Sequence, residues 1–143
     1  MKRLCWFVLD SFGIGGAPDA EKFGDEGSNT LGHIAEWFMD NEARILNLPN
    51  LQSLGLGEAY QLVHGQQPGG WTQSDATGTF AAATEISTGK DTPSGHWEMA
   101  GVPVRWEWEY YPDTSPCFPA KLLREIYVKG GLSGSLANHH ASG

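Results

Sequence analysis

Asp10 is the first residue whose type and position could serve a chemical reaction. It ends the apolar run of residues 4–9 and precedes the glycine-rich segment SFGIGG, residues 11–16. A carboxylate at the end of a buried strand can bind Mg²⁺ or Mn²⁺, and glycines let the backbone approach a ligand closely. An aspartate that only caps the next turn is the alternative. A dinucleotide-binding motif is excluded, because Pro18 stands where the third glycine would be.

A second candidate, Thr92, lies in the polar stretch STGKDTPSGHWEMAG, residues 87–101. Pro93 is typical of the first helical position, which predicts Thr92 as the N-cap of a helix over about residues 93–100. Free N–H groups at a helix start stabilise phosphate, so a Thr92 hydroxyl activated by a metal could become phosphorylated. An ordinary threonine that caps its own helix is the alternative, and the residues alone favour it.

Lys90 and His96 flank Thr92 and could contact phosphate. Lys90 follows a glycine, but the phosphate-binding P-loop is excluded because Thr84 replaces its first glycine and Asp91 its final Ser or Thr. Lys90 could still meet phosphate as a mobile point charge, or simply be solvated. His96 could donate to phosphate or metal from one turn inside the helix, or could be an ordinary packed residue.

The adjacent histidines near the end of the sequence, His139 and His140, are poorly suited to joint metal binding. Neighbouring side chains point to opposite faces of a strand and do not share a helix face. We therefore expect both histidines in a surface loop.

The secondary-structure pattern predicts which elements carry these residues. Residues 3–9 and 78–87 are typical of strands, and each is followed by a polar loop and a helix, over about 30–40 and 93–100. This repeated order favours an α/β fold with a mainly parallel sheet. Asp10 and Thr92 would then lie at the carboxyl ends of strands, where open α/β sheets place their sites.

Further helices are predicted by capping and periodicity. Ser28 or Asn29 can cap the first helix, whose apolar face would include Leu31, Ile34 and Phe38. A short helix is expected after Pro49 and an amphipathic one over AKLLREIYV, whereas residues 58–76 resist assignment. The character of the sequence changes after residue 101, so we predict one region over 1–105 and a second over 106–143.

Composition limits the possible partners. The 143 residues suffice for an ordinary domain, and 9 basic against 17 acidic residues give a charge of −8, which disfavours general nucleic-acid binding. The apolar run of residues 4–9 is too short for a signal peptide or a membrane span. Cys5 and Cys117 lack the spacing of metal ligands and are typical of reduced thiols, which predicts a cytoplasmic protein.

Three segments together resemble bacterial phosphopentomutase, a family of the alkaline phosphatase superfamily. They are VLDSFGIGGAPDAEKFGDEGSNTLGHIAE, LPNLQSLGLG and STGKDTPSGHWEMAGVPV, and the shorter FPAKLL and NHHASG resemble parts of the family's cap. The resemblance implies an alkaline-phosphatase-like α/β core over residues 1–105 and the beginning of an α+β cap domain over residues 106–143.

The resemblance also implies an activity and a set of site residues. The family interconverts ribose or deoxyribose 1-phosphate and 5-phosphate, using two Mn²⁺ ions, a phosphorylated threonine and a sugar bisphosphate activator. On this sequence it implies Asp10 as a metal ligand and Thr92 as the catalytic, phosphate-carrying threonine within the metal site. Lys90 and His96 are candidates for phosphate binding.

The sequence departs from the family in length. The family's remaining metal ligands fall in motifs that include an Asp-His-Gly, which this sequence lacks. We therefore expect an N-terminal fragment that is inactive alone and that associates through an exposed sheet edge. The alternatives are another mutase of the superfamily, such as a cofactor-independent phosphoglycerate mutase, a phosphatase, or a non-catalytic binding module.

Overall fold

The structure is a computed structural model that describes residues 2–140. In this part of the chain the regular elements are a short 3₁₀ helix, Ala20–Phe23, and a set of α-helices joined by loops. The α-helices are α1 (Thr30–Glu42), α2 (Pro49–Leu54), α3 (Leu56–His64), α4 (Thr92–Met99) and α5 (Ala120–Gly130). None of the helices between residues 2 and 140 is long and apolar enough to cross a membrane.

The predicted α/β fold with a mainly parallel sheet is wrong, because residues 2–140 contain no strand. The two predicted strands, residues 3–9 and 78–87, do not pair with each other or with any other described segment. A strand exists only when its backbone N–H and C=O groups find a neighbour, so apolar character alone does not create one. Leu4 and Phe7, expected in a core, are 91% and 87% exposed instead.

Helix α1 confirms the prediction made for its region. The Asn29 side chain caps it by accepting a hydrogen bond from the Gly32 N–H at 3.1 Å. Leu31 is completely buried and Phe38 packs against the core, whereas Ile34 remains partly exposed at the edge of the predicted face. The buried residues of the helix, Leu31, Gly32 and Ala35, therefore lie in its first two turns.

The core of the first unit of the chain, which ends at Val104, lies around α1 and α3. It consists of five buried side chains, Leu31, Ala35, Leu46, Tyr60 and Trp71. Trp71 fixes the loop after α1 because its indole N–H donates to the Leu46 carbonyl at 2.7 Å. Helix α3 and the Trp71 hydrogen bond thus order much of residues 58–76, for which the sequence predicted no structure.

The second unit begins at Arg105 and contains α5. Asn138 organises its loops: the side-chain oxygen accepts from the N–H groups of Cys117 at 3.1 Å and Phe118 at 2.7 Å. Cys117 is buried, but α5 itself has no buried residue. The core and cap roles assigned to residues 1–105 and 106–143 stay predictions.

Candidate functional site

Thr92 is the first residue of α4, and the residue before it caps the helix. The Asp91 carboxylate accepts from the Ser94 N–H and from the Ser94 hydroxyl, each at 2.7 Å. The expectation that Thr92 is the N-cap is therefore wrong by one residue. Asp91 has extended backbone angles, φ −151° and ψ 149°, and a carboxylate accepts both hydrogen bonds at once.

The Asp91 cap affects the chemistry that is open to Thr92. Because Asp91 supplies the cap, the Thr92 hydroxyl is not used for it, and Thr92 lies exposed at the start of α4. The partial positive charge at the start of a helix favours an anion nearby; in α4 this charge acts without a row of free N–H groups, because Pro93 has no N–H and the Ser94 N–H is bound to Asp91. The position therefore suits a hydroxyl that would receive or release a phosphoryl group.

His96 lies one turn beyond Thr92 and is also exposed. Its Nδ1 is 2.9 Å from the Thr92 carbonyl oxygen. Because a carbonyl oxygen only accepts, Nδ1 donates this hydrogen bond, which leaves Nε2 as the acceptor in the neutral ring. The ring is thus oriented by the backbone of α4, and its predicted contact with phosphate stays a prediction.

Lys90 pairs with the carboxylate of Asp25 at 2.5 Å. The pair borders a small cavity of about 180 Å³ whose lining includes Gly15, Gly16 and Glu85. The loop after Asp10 and the loop before Thr92 therefore meet at this cavity. The sequence predicted that both loops would carry the site, and their proximity here does not require a sheet.

Carboxylates dominate the surroundings of this cavity. Partial desolvation raises the pKa of Glu85, and repulsion from the carboxylates of Glu98, Asp19 and Asp91 raises it further. Lys90 is the basic residue of the lining. A phosphate at this cavity would therefore need added positive charge, which a bound cation could supply.

Asp10 lies exposed in a turn, before a loop that the helices hold in place. The Gly13 carbonyl accepts from the Leu31 N–H at 3.1 Å, and the Ile14 carbonyl lies 2.6 Å from His64 Nε2. A larger groove of about 560 Å³ lies beside this loop, but its lining is mostly apolar and does not suit phosphate.

The chain does not by itself provide a complete metal site within the part that the structure describes. Residues 2–140 contain no group of three or more His, Cys, Asp or Glu side chains that could hold a metal ion. Asp10 and Thr92 could each supply one oxygen, which falls short of the six ligands that Mg²⁺-like ions prefer. His139 and His140 are exposed in a loop, as predicted, and His140 lies 2.8 Å from Asp113.

Glu98 is a residue of this region that the sequence did not reveal. One carboxylate oxygen accepts from the Ile86 N–H at 2.9 Å and the other from the Ser87 N–H at 2.7 Å. Glu98 lies within the segment STGKDTPSGHWEMAGVPV, but its contact is not visible there, because its partners are backbone groups eleven and twelve residues earlier. Only its position on the helix that follows Thr92 could have drawn attention to it.

Comparison with known proteins finds curated relatives of the chain. No family model matches the chain, and no solved structure matches it. Over its whole length, however, the chain is similar to curated proteins named phosphopentomutase. It is 55% identical to that of Aeromonas salmonicida (strain A449), 54% to that of Chelativorans sp. (strain BNC1) and 52% to that of Idiomarina loihiensis.

The resemblance to phosphopentomutase is therefore confirmed, and the chain is phosphopentomutase-like throughout. The three alignments cover 100% of this chain but only 36–37% of each relative. The chain thus spans little more than a third of the length of the curated relatives it matches, which fits the expectation of an N-terminal portion.

Proposed function

We propose that the protein that carries these residues is a phosphopentomutase, an isomerase that interconverts the 1-phosphate and 5-phosphate of ribose or deoxyribose. The observation that carries this proposal is the 50–55% identity to curated phosphopentomutases over the whole chain. A cytoplasmic location belongs to the same proposal, on the evidence of the two unpaired thiols, Cys5 and Cys117.

Thr92 is the residue that would carry the phosphoryl group. The bond between phosphorus and Thr92 Oγ1 breaks as a free hydroxyl of the sugar monophosphate attacks and gives up its proton; Thr92 Oγ1 takes up a proton, and a sugar bisphosphate forms. The phosphoryl group at the other position then returns to Thr92, which leaves the isomerised monophosphate. The exposure of Thr92 and its place at the start of α4 support this role.

Two Mn²⁺ ions are part of the proposal, and Asp10 would provide one carboxylate ligand to them. Such ions, when bound, neutralise the charge that spreads over the transferring phosphoryl group. The carboxylates around the cavity beside Lys90 oppose the binding of a phosphate there, which supports a role for such cations. Thr92 Oγ1 would provide a further oxygen ligand; the residues that the structure describes contain no group of three or more His, Cys, Asp or Glu side chains that could hold a metal ion.

Lys90 and His96 would contact the phosphates of the pentose or of the bisphosphate activator. Lys90 can reach a phosphate only by leaving Asp25, so its contribution depends on competition between that carboxylate and the substrate. The hydrogen bond from Nδ1 fixes the ring of His96, and Nε2 would donate to a phosphate oxygen when the ring carries both protons.

Substitution of Thr92 tests this function directly. In the protein that carries the chain, Thr92→Ala should lower turnover of ribose 1-phosphate by about 10⁴-fold or more, because the nucleophile is removed. Thr92→Ser keeps a hydroxyl and should retain part of the activity. Conversion to ribose 5-phosphate in the presence of Mn²⁺ is the assay, and mass spectrometry should find phosphate on residue 92.

The matched control is Thr72→Ala, which removes an exposed threonine hydroxyl from a loop of the same unit. It should leave turnover unchanged. Retained turnover in Thr92→Ala would remove Thr92 from its role. Isomerisation of phosphoglycerate instead of pentose phosphates would contradict the proposed substrate class.

A further inference from the structure

Glu98 binds the backbone just before Thr92 with both oxygens of its carboxylate. The N–H groups of Ile86 and Ser87 donate to Oε1 and Oε2 at 2.9 and 2.7 Å. Glu98 lies in the second turn of α4, the helix that Thr92 begins. Hydrogen bonds to an ionised acceptor are about twice as strong as neutral ones, so this contact restrains two successive residues of the loop.

A second set of hydrogen bonds closes the same loop from its other side. The Ser87 hydroxyl accepts from the Val104 N–H at 2.9 Å, and the Thr88 N–H donates to the Val104 carbonyl at 3.0 Å. Ser87 is buried and Val104 is completely buried. The chain is therefore fixed at residues 86–88 by partners on α4 and after it.

Two residues, Gly89 and Lys90, separate this fixed point from the Asp91 cap. Asp91 is itself held to Ser94 by two hydrogen bonds of 2.7 Å. The turn that presents Thr92 thus runs between two carboxylates, Glu98 on one side and Asp91 on the other. Loss of either carboxylate would free one end of a very short segment.

We propose that Glu98 is a positioning residue that holds the Thr92-bearing turn in the geometry required for phosphoryl transfer. The proposal rests on the proposed function, in which Thr92 carries the phosphoryl group. Glu98 touches neither substrate nor phosphate in this role. It acts through the backbone of residues 86–87 on the placement of Thr92, and a displacement of about 1 Å at a reacting group can cost about 10²-fold in rate.

Two variants separate hydrogen-bond acceptance from packing. Glu98→Gln has the same shape, but its amide group offers one acceptor and turns a donor toward a backbone N–H. Glu98→Ala removes both acceptors and most of the side chain. Both should lower kcat by about tenfold or more while KM changes by less than about threefold, because substrate contacts are kept.

Hydrogen exchange provides a measurement that does not depend on activity. The Ile86 and Ser87 amides should exchange faster in both variants, whereas amides of α1 should not change. The matched control is Glu36→Gln, which alters an exposed glutamate of α1 in the same unit and should change neither kcat nor exchange at residues 86–87. If Glu98→Ala fails to fold, the isosteric Glu98→Gln still provides both measurements.

The outcomes distinguish this inference from the proposed function. A wild-type protein that does not isomerise ribose 1-phosphate would overturn the proposed function and with it any kinetic role of Glu98. Hydrogen exchange would still decide whether the Glu98 carboxylate holds the N–H groups of Ile86 and Ser87. An active wild type whose Glu98→Gln and Glu98→Ala variants keep kcat within about twofold would overturn the positioning role. Unchanged hydrogen exchange at the Ile86 and Ser87 amides would contradict the restraint of these residues by Glu98.

Discussion

Two glutamates show how local surroundings reverse the effect of a carboxyl group on stability. Burial of Glu58 opposes its ionisation, but hydrogen bonds from the Ser74 N–H at 3.0 Å and hydroxyl at 3.1 Å, and from its own N–H, outweigh burial and lower its pKa below the ordinary 4.5. Glu85 has a raised pKa because partial desolvation and nearby carboxylates both oppose its charge.

The two shifts predict opposite dependences on pH. The lowered pKa of Glu58 stabilises the fold above pH 4.5, and this stability is lost as the pH falls through the lowered value. The raised pKa of Glu85 favours the fold below pH 4.5, and this advantage is lost as the pH rises through the raised value. Relative to wild type at pH 7, Glu58→Gln should therefore lower the free energy of unfolding and Glu85→Gln should raise it.

Denaturant titrations of the chain between pH 4 and 8 would measure both differences. Each difference should shrink toward the acid end of this range, where the wild-type carboxyl groups become protonated. Glu36→Gln, on an exposed face of α1, is the control and should leave the free energy of unfolding unchanged. A Glu85→Gln variant that is less stable than wild type at pH 7 would contradict the assignment for that residue.

Helix α4 illustrates how much a short element depends on its ends. Its eight residues are too few for a helix to persist alone, so the cap and the tertiary contacts decide whether it forms. Asp91 supplies the cap, Pro93 fits the first turn, and Glu98 ties the second turn to the preceding loop. The orientation of Thr92 is therefore a property of the whole element and not of Thr92 itself.

Removal of the cap should destabilise this element measurably. Asp91→Ala should lower the free energy of unfolding of the chain by about 1 kcal/mol, because two hydrogen bonds to Ser94 are lost. Asp91→Asn keeps an acceptor and should cost less. Chemical denaturation gives the difference, and Asp40→Ala on the exposed side of α1 is the control. An unchanged stability in Asp91→Ala would show that Thr92 or another residue can take over the cap.

The elements differ in how far the sequence predicts them, and the reason is physical. Helix α1 was predicted to within about two residues, because its hydrogen bonds and its Asn29 cap are local. The cap of α4 was misplaced by one position, since aspartate and threonine both suit an N-cap and only the backbone angles distinguish them. The two strands were wrong because a strand depends on a partner that its own residues do not encode.

In the candidate site, too, the sequence predicted local features and missed contacts between distant residues. Residue types and spacing singled out Thr92 and Lys90 as candidates, and the resemblance to phosphopentomutase that implied their roles is confirmed. The sequence did not predict the hydrogen bond between Glu98 and the Ser87 N–H or the Lys90–Asp25 ion pair, because each joins residues far apart in sequence. The roles of Asp10, Thr92, Lys90 and His96 stay predictions.

At the scale of the whole molecule, the exposed apolar residues stand out. The first unit leaves the segment before Asp10 largely uncovered, with Leu4 and Phe7 about nine-tenths exposed, and Ile86 is 60% exposed. Apolar surface of this extent is typical of proteins that associate or aggregate. The expectation of a sheet edge was wrong, but the tendency to associate now rests on these side chains.

Sedimentation would test this tendency. The average mass of the 143-residue chain should rise with concentration, because association removes the exposed side chains from water. Phe7→Asp should reduce the rise, since it places a charge within the apolar segment. Glu36→Gln serves again as a neutral control. A chain that sediments as a single monomeric species at all concentrations, with a sharp unfolding transition, would contradict the prediction.

Trp71 gives the molecule an optical label that needs no engineering. It is 7% exposed, whereas Trp6, Trp37, Trp97 and Trp106 are all at least 45% exposed, and its indole N–H is bound to the Leu46 carbonyl. Trp108 of the second unit is half-buried, so fluorescence that resists a soluble quencher originates from Trp71, in the core around α1 and α3, with a contribution from Trp108. Loss of that protected emission would signal the opening of this core separately from events near Trp97 on α4.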